Sequence, residues 1–389
     1  MDRKEVLAGA NRIVIKLGTA VLMKEEGGIA LSRFYAFIEG IAGLMKQGKE
    51  VLLVTSGAVG LGVQKLQLDK KPKLLPMKQA CAAVGQGRLM ALYSDAFQAL
   101  DIITAQILLT EEDFSNRNRY LNLRSTIGEL MRLKVLPIIN ENDTVSTAEI
   151  ESGKDFEFLK VNFGDNDKLS ALVASKVEAD LLVILTDVDG LYTDDPRKAD
   201  SAKLIPLVPS INTDIEKLAS GPAAPGKLGR GGMKTKIEAA KTATQSGCSV
   251  IIAGGKVPDV IPRLFSNEEI GTLFLPHPGM TGKKRWIAFA TTVKAALVVN
   301  EGAKTALKNG KASLLPAGIV QIRGQFERGD VIGIVDDAGH EFARGIANYS
   351  SEETKQISGQ HSDAIDAKIE VRNYDAIVTR DNIALLETA

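Results

Sequence analysis

Histidine is scarce in this sequence. His277, His340 and His361 are the three it has, and the first 276 residues contain none. Chemistry located there uses neither a histidine base nor a histidine metal ligand, so Ser-His-Asp triads and His-ligated zinc are excluded for that region. Two cysteines, Cys81 and Cys248, cannot build a disulfide framework and have no metal-ligand spacing. A reducing, cytosolic setting is expected. No apolar run reaches the roughly 18 residues of a membrane span. The charged start Met1-Asp2-Arg3-Lys4-Glu5 lacks the apolar stretch of a signal peptide. Net charge is missing too: 48 basic residues balance 48 acidic ones. A dominant polyanion-binding role therefore has no electrostatic footprint.

What remains is an ordinary globular composition, 44% hydrophobic and 25% charged over 389 residues, which excludes disorder as the main description. That length suggests two or three domains. Apolar runs at Arg12–Leu17, Val51–Thr55, Ile103–Leu109, Val135–Ile139, Leu181–Thr186, Val250–Ala253 and Thr272–Leu275 do not alternate. Strands buried on both faces read this way, so a mainly parallel sheet is expected. Helical patterns lie between them. Ser32 is a candidate N-cap for a helix through Leu31, Phe34, Ile38, Ile41 and Met45 that Gly48 closes. Pro76 suits a helix start, with Met77, Cys81 and Val84 on one face and Cys81 as core filler. The order is that of an α/β fold with both sheet faces covered.

Beyond about Thr291 the pattern changes to short runs at Ala296–Val299, Gly318–Ile322, Asp330–Val335 and Phe342–Ala347, with frequent turn signals. A small all-β unit, a compact barrel, is expected. The organisation is thus a catalytic domain over 1–276, a linker over 277–291 and a second domain over 292–389. The last carries 11 basic and 14 acidic residues, and the first 291 carry 37 and 34.

Ligands of open parallel sheets bind at the carboxyl ends of the strands. Here those ends read Lys16-Leu17-Gly18-Thr19, Thr55-Ser56-Gly57-Ala58, Asn140-Glu141-Asn142-Asp143 and Thr186-Asp187-Val188-Asp189-Gly190. Small and polar residues there let backbone N–H groups approach an anion. Gly229-Arg230-Gly231-Gly232-Met233-Lys234-Thr235-Lys236 precedes a helical pattern. It is either a phosphate cradle or an ordinary surface turn, and it matches neither a Walker A nor a Rossmann fingerprint. Asp165 of Gly164-Asp165-Asn166-Asp167-Lys168 is either an N-cap or, with Asn166, faces a substrate ammonium or carboxylate, and Asp167 would hold two lysines in position. Lys16 interrupts the apolar run Ile13-Val14-Ile15-Lys16-Leu17. It lies on an edge strand or it is functional, since a buried lysine is costly unless paired. Lys16 and Lys236 together would supply the fixed positive charge that phosphoryl transfer needs more than it needs a base.

In this order the motifs resemble the glutamate 5-kinases, a branch of the amino acid kinases, in their long bacterial form. The resemblance covers nearly the whole chain. It rests on Val14–Thr19, Val54–Ala58, Ala83–Leu89, Gln106–Thr110, Ile139–Asp143, Gly164–Ala171, Leu185–Asp187 and Gly231-Gly232-Met233 with Thr235-Lys236. Ser313–Pro316, Phe326–Asp330 and Ala343–Ile346 resemble the PUA domain appended to that family. The resemblance implies an αβα sandwich and transfer of the γ-phosphoryl group of Mg-ATP to the side-chain carboxylate of L-glutamate, the first step of proline synthesis. It implies catalytic roles for Lys16, Lys236 and Asp167. Ser56, Gly57, Asp143, Asp165 and Asn166 would bind glutamate. Lys16, Thr186, Asp187, Arg230, Gly231, Gly232, Met233, Lys234, Thr235 and Lys236 would hold ATP. No protein metal ligands are implied beyond Mg2+ travelling with ATP. Proline as inhibitor, a homo-oligomer (dimer or tetramer) and a cytoplasmic location are also implied. The chain departs from the family at Ala20, where serine is usual, at Arg230, where threonine is usual, and in the longer segment Glu151–Phe163.

Two other readings stand beside this one. A sister kinase on the same fold would phosphorylate aspartate or N-acetylglutamate. An RNA-binding protein would act through the PUA-like domain, although the acidic balance of that region offers little to phosphates.

Overall fold

The computed structural model describes residues 2–24, 27–70, 72–115, 117–145, 166–196, 199, 201–219, 232–276, 284, 287–288, 293, 295–309, 312–359 and 376–386. They form two compact units, the first drawn from Met1–Gly279 and the second holding Met280–Ala389.

The first unit is built on eight strands: β1 (Arg12–Leu17), β2 (Glu50–Val54), β3 (Thr104–Leu109), β4 (Leu136–Glu141), β5 (Leu181–Thr186), β6 (Leu207–Val208), β7 (Ser249–Gly254) and β8 (Thr272–Phe274). Their order is β3-β4-β2-β1-β5-β7-β8-β6. Every pairing is parallel except β7 with β8. The Val/Ile/Leu-rich, non-alternating runs are the reason: both faces are covered, so both sets of side chains are apolar. On one face, Ile13, Ile15, Leu53, Ile138, Val183 and Ile251 pack with Phe34, Ile38 and Ile41 of the helix Leu31–Lys46 and with Leu89, Tyr93 and Phe97 of the helix Leu75–Gln98. Helices Asn166–Lys176 and Met233–Gln245 lie on the sheet beside β1 and β7. This is the three-layer αβα arrangement.

Some local expectations are corrected. The first long helix begins at Leu31 with Ala30 as N-cap and no side-chain cap bond, so Ser32 is inside the helix. Its buried face is Phe34, Phe37, Ile38, Ile41 and Leu44, and Leu31 is exposed. In the helix Leu75–Gln98, Cys81 is buried but Met77 and Val84 face solvent. The buried side holds Cys81, Ala82, Gly85, Gln86, Leu89, Tyr93, Ala96 and Phe97. The face shifts because this helix crosses the helix Ala58–Lys65 so tightly that glycine lines the contact. A Cβ on Gly85 or Gly62 would overlap backbone atoms of the other helix.

The second unit has five strands, β9 (Ala296–Val299), β10 (Ile319–Arg323), β11 (Val331–Val335), β12 (Glu341–Ile346) and β13 (Ile383–Leu385), in the order β10-β9-β11-β12-β13. All pairings are antiparallel except β9 with β11. Its core gathers Leu297, Phe326, Ile332, Ile334, Phe342, Tyr349 and Ile357. It is not purely β, because helices Glu301–Lys308 and Ser351–Ile357 accompany the sheet. Both carry side-chain N-caps, Asn300 and Ser350.

Candidate active site

Lys16 lies on β1, a central strand hydrogen-bonded to β2 and β5. The edge-strand alternative is therefore excluded. Side chains alternate along a strand, so Ile13, Ile15 and Leu17 enter the apolar core while Lys16 takes the other face. There it meets the first turn of the helix Asn166–Lys176. Lys16 Nζ is 2.6 Å from Asp167 Oδ1. Lys236, in the first turn of the helix Met233–Gln245, reaches Asp167 Oδ2 at 2.9 Å. Thr235 donates to the same oxygen at 3.1 Å. Asp167 is 0% exposed, Lys16 3% and Lys236 4%.

A buried carboxylate beside a single cation is rarely stabilising, and a single removed partner is strongly destabilising. Here one carboxylate serves two ammoniums. Burial alone pushes the Asp167 carboxyl up; the adjacent, hydrogen-bonded ammoniums of Lys16 and Lys236 overcome this and hold it well below the usual carboxylate range. The three charges sum to one positive. The arrangement fixes two cationic groups a carboxylate's width apart in a water-poor place, which suits a polyanion whose charge moves during reaction.

Helix termini reinforce that sign. Hydrogen bonds tie the first turns of two helices to each other and to the residue before the cap of a third. Asn166 Nδ2 is 2.9 Å from Ser56 Oγ, directly before the helix Ala58–Lys65, and Asp167 joins Thr235 and Lys236. Backbone N–H groups at such ends favour anions. Gly57 caps the helix Ala58–Lys65 at φ 103°, a left-handed conformation that glycine adopts without strain.

Parallel register brings the strand ends to one edge: Lys16 pairs with Val54 and with Ile184, and Val54 with Ile139. Beside the lysine clasp, Asn166 Nδ2 also reaches the Thr55 carbonyl and, at 2.9 Å, Asn140 Oδ1. Thr55 Oγ1 and the Tyr93 hydroxyl are 2.8 Å apart, and burial pushes the Tyr93 phenol up. Asp143 is half-buried in the turn after β4. Thr186 ends β5, 5% exposed, and donates to Asp187 Oδ1 at 3.3 Å. Gly232 is the N-cap, and Met233, Lys234 and Thr235 form the first turn of their helix. Lys234 is turned to solvent, 3.9 Å from Glu238, and does not join Lys236. Asp165, Arg230 and Gly231 lie outside the described residues.

Sequence reasoning missed Asn140 and Gln86 as side chains of this site. Asn140 Nδ2 donates to Gln86 Oε1 at 2.9 Å. Gln86 lies on the buried side of the helix Leu75–Gln98, which the face assigned to Met77, Cys81 and Val84 does not include.

The family model described as the Amino acid kinase family matches residues 11–254, and that of the PUA domain matches residues 295–369. The glutamate 5-kinase of Caldanaerobacter subterraneus subsp. tengcongensis is 48% identical over 378 residues, 97% of this chain and 98% of the relative. That of Thermoanaerobacter sp. is 46% identical over 378 residues, with the same coverage. That of Citrifermentans bemidjiense is 44% identical over 385 residues, 99% of this chain and 100% of the relative. Identity of this extent across both units accounts for the central lysine, its shared aspartate and the appended sheet together: the chain belongs to the amino acid kinase family, within its glutamate 5-kinase branch, and carries a PUA domain.

Proposed function

We propose that this protein transfers the γ-phosphoryl group of ATP to the side-chain carboxylate of L-glutamate, giving L-glutamyl 5-phosphate and ADP at the first step of proline biosynthesis. The observation that carries the reading is the clasp of Asp167 on both Lys16 and Lys236. A glutamate side-chain oxygen attacks Pγ, the new O–P bond forms, and the bond from Pγ to the β,γ-bridging oxygen breaks. The acceptor is already ionised at neutral pH, so no base is required, which agrees with the absence of histidine before residue 277. Lys16 and Lys236 stabilise the charge on the transferring group, and Asp167 fixes their positions. Ser56, Gly57, Asp143, Asp165 and Asn166 bind glutamate. Thr186, Asp187 and the stretch Arg230–Lys236 hold ATP.

Mg2+ accompanies the nucleotide. Among the described residues no group of three or more His, Cys, Asp or Glu is placed to hold a metal ion. Both Asp167 oxygens already accept from ammoniums. These residues fit an ion held chiefly by phosphate oxygens and water, the usual habit of magnesium; its contribution is to neutralise phosphate charge. The reading includes proline as an inhibitor acting at or near the acid site, a homo-oligomeric assembly, a cytoplasmic location, and domains over 1–276 and 292–389 joined by 277–291. Among the described residues no helix is long and apolar enough to cross a membrane.

The test is incubation with Mg-ATP, hydroxylamine and, in turn, glutamate, aspartate and N-acetylglutamate, with and without proline. Hydroxamate is expected with glutamate and less of it when proline is present. A strong signal with another acid and none with glutamate would transfer the reading to a sister kinase.

A further inference from the structure

The amide of Asn166 faces three oxygens: the Thr55 carbonyl, Ser56 Oγ and Asn140 Oδ1. A backbone carbonyl only accepts, so the end of the Asn166 amide turned toward it is the NH2 group. Its acceptor end, Oδ1, is left on the side away from these oxygens. The same constraint runs onward. Asn140 turns Oδ1 to Asn166 and therefore Nδ2 to Gln86, whose Oε1 accepts at 2.9 Å. The orientation of all three amides is thus dictated by one backbone carbonyl. The chain ends at Gln86 Nε2, a donor group that is buried and has no hydrogen-bond partner among the described residues. Turning the Gln86 amide over does not help, because it would set NH2 against NH2.

Gln86 is 8% exposed and Asn140 3%. The other residues that the helix Leu75–Gln98 buries are Cys81, Ala82, Gly85, Leu89, Tyr93, Ala96 and Phe97. A leucine or methionine in place of Gln86 would fit that surface and exchange one dry donor, Gln86 Nε2, for another, Asn140 Nδ2. Stability therefore does not explain the glutamine. Its accepting oxygen does something: it holds Asn140, and Asn140 holds Asn166.

We propose that Gln86 is a positioning residue for the acid substrate: it fixes the Asn140 amide, whose Oδ1 supports the Asn166 NH2 group that the Thr55 carbonyl orients. The proposal rests on the glutamate kinase reading for the identity of the acid. Gln86 does not touch substrate in this account, since its unpartnered nitrogen is closed off by protein. Without Oε1 to receive it, the Asn140 amide can rotate, and Asn166 loses one of the three oxygens that hold its NH2 group in place. The glutamate side of the site is affected. The ATP side, held by the strand end at Thr186 and the helix that starts at Met233, is not.

Steady-state kinetics and thermal melting of the full chain test this, with Gln86→Leu and Gln86→Glu beside the parent. Gln86→Leu is expected to raise KM for glutamate about tenfold, the equivalent of one buried hydrogen bond, while KM for ATP stays unchanged. It is also expected to melt close to the parent's temperature, because it exchanges the dry Gln86 Nε2 for a dry Asn140 Nδ2. Gln86→Glu, protonated by burial, keeps an oxygen for Asn140 to donate to, and is expected to restore most of the glutamate affinity. An unchanged glutamate KM in Gln86→Leu overturns the proposal. So does an equal rise in both KM values, a loss of folding in Gln86→Leu, or a Gln86→Glu variant as impaired as Gln86→Leu. A parent inactive on glutamate but active on another acid refutes the substrate assignment instead, and the same comparison made with that acid then decides the role of Gln86.

Discussion

Lys16 Nζ and Asp167 Oδ1 meet at 2.6 Å across 151 positions of sequence, with neither side chain more than 4% exposed. The contact joins the middle strand of the sheet to the first turn of the helix that covers it. A lysine in the middle of an apolar strand is tolerable only if a carboxylate is delivered to it. The strand therefore depends on the helix that follows β4, and the helix supplies Asn166 and Asp167 to two functions at once. Asn166 reaches toward Ser56 and Asp167 toward Lys236. The groups proposed for the acid and for the phosphate thereby sit on consecutive residues.

Lys16→Ala and Lys236→Ala each remove one stabilising charge while Asp167 keeps the other. Each is expected to lower kcat by about two to three orders of magnitude, as loss of one preorganised electrostatic group commonly does. Circular dichroism is expected to match the parent's. Near-parental turnover in either variant would refute the role given to that lysine.

Asp167→Asn leaves two ammoniums facing each other in a buried place. Removal of one side of a buried ion pair costs about 3–5 kcal/mol, read as a lower denaturant midpoint. Saturating ATP is expected to raise the melting temperature of this variant more than that of the parent, since phosphate oxygens replace the lost charge. The pH dependence has a definite sign. The folded carboxyl titrates below its unfolded value, so its contribution is fully present above about pH 4 and is lost as pH falls through the folded value. The gap between parent and variant is therefore flat near neutrality and shrinks below about pH 4. A gap that widens on acidification would contradict the depressed carboxyl.

The clasp was readable from sequence because its components are anomalous. Lys16 interrupts an apolar run, and a charge so placed demands a partner. The strands were equally readable: Arg12–Leu17, Leu181–Thr186 and Ala296–Val299 form with the expected bounds. The strands Leu207–Val208 and Ile383–Leu385 have two and three residues, too few to show a period. The relay from Gln86 to Asn166 was illegible for another reason. It joins residues 54 and 26 positions apart through amides, and amides are common on solvated surfaces. Gln86 is buried where it meets Asn140 of β4, a tertiary contact that no local pattern announces.

Substitution of Asp143 distinguishes the glutamate role proposed for it from a nucleotide role. Asp143 follows β4 on the edge where Asn140 and Asn166 meet, while the helix that starts at Met233 lies on the phosphate side. Asp143→Ala is expected to raise KM for glutamate more than KM for ATP. The reverse pattern in initial-rate measurements would move Asp143 to the nucleotide.

Gly85 and Gly87 lie in the same helix, and their substitution should act in opposite directions. A Cβ at Gly85 would overlap the carbonyl oxygen of Ala58, and at Gly87 it meets nothing within 4 Å. Gly87→Ala is therefore expected to stabilise by up to about 1 kcal/mol, through helix propensity alone. Gly85→Ala must push the helix Ala58–Lys65 outward, a strain of about 1–3 kcal/mol. That helix begins directly after Ser56 and Gly57, so the displacement also reaches the glutamate side. KM for glutamate is expected to rise in Gly85→Ala and to stay unchanged in Gly87→Ala. Equal denaturant midpoints for the two variants would show that the helices do not pack as closely as their backbones indicate.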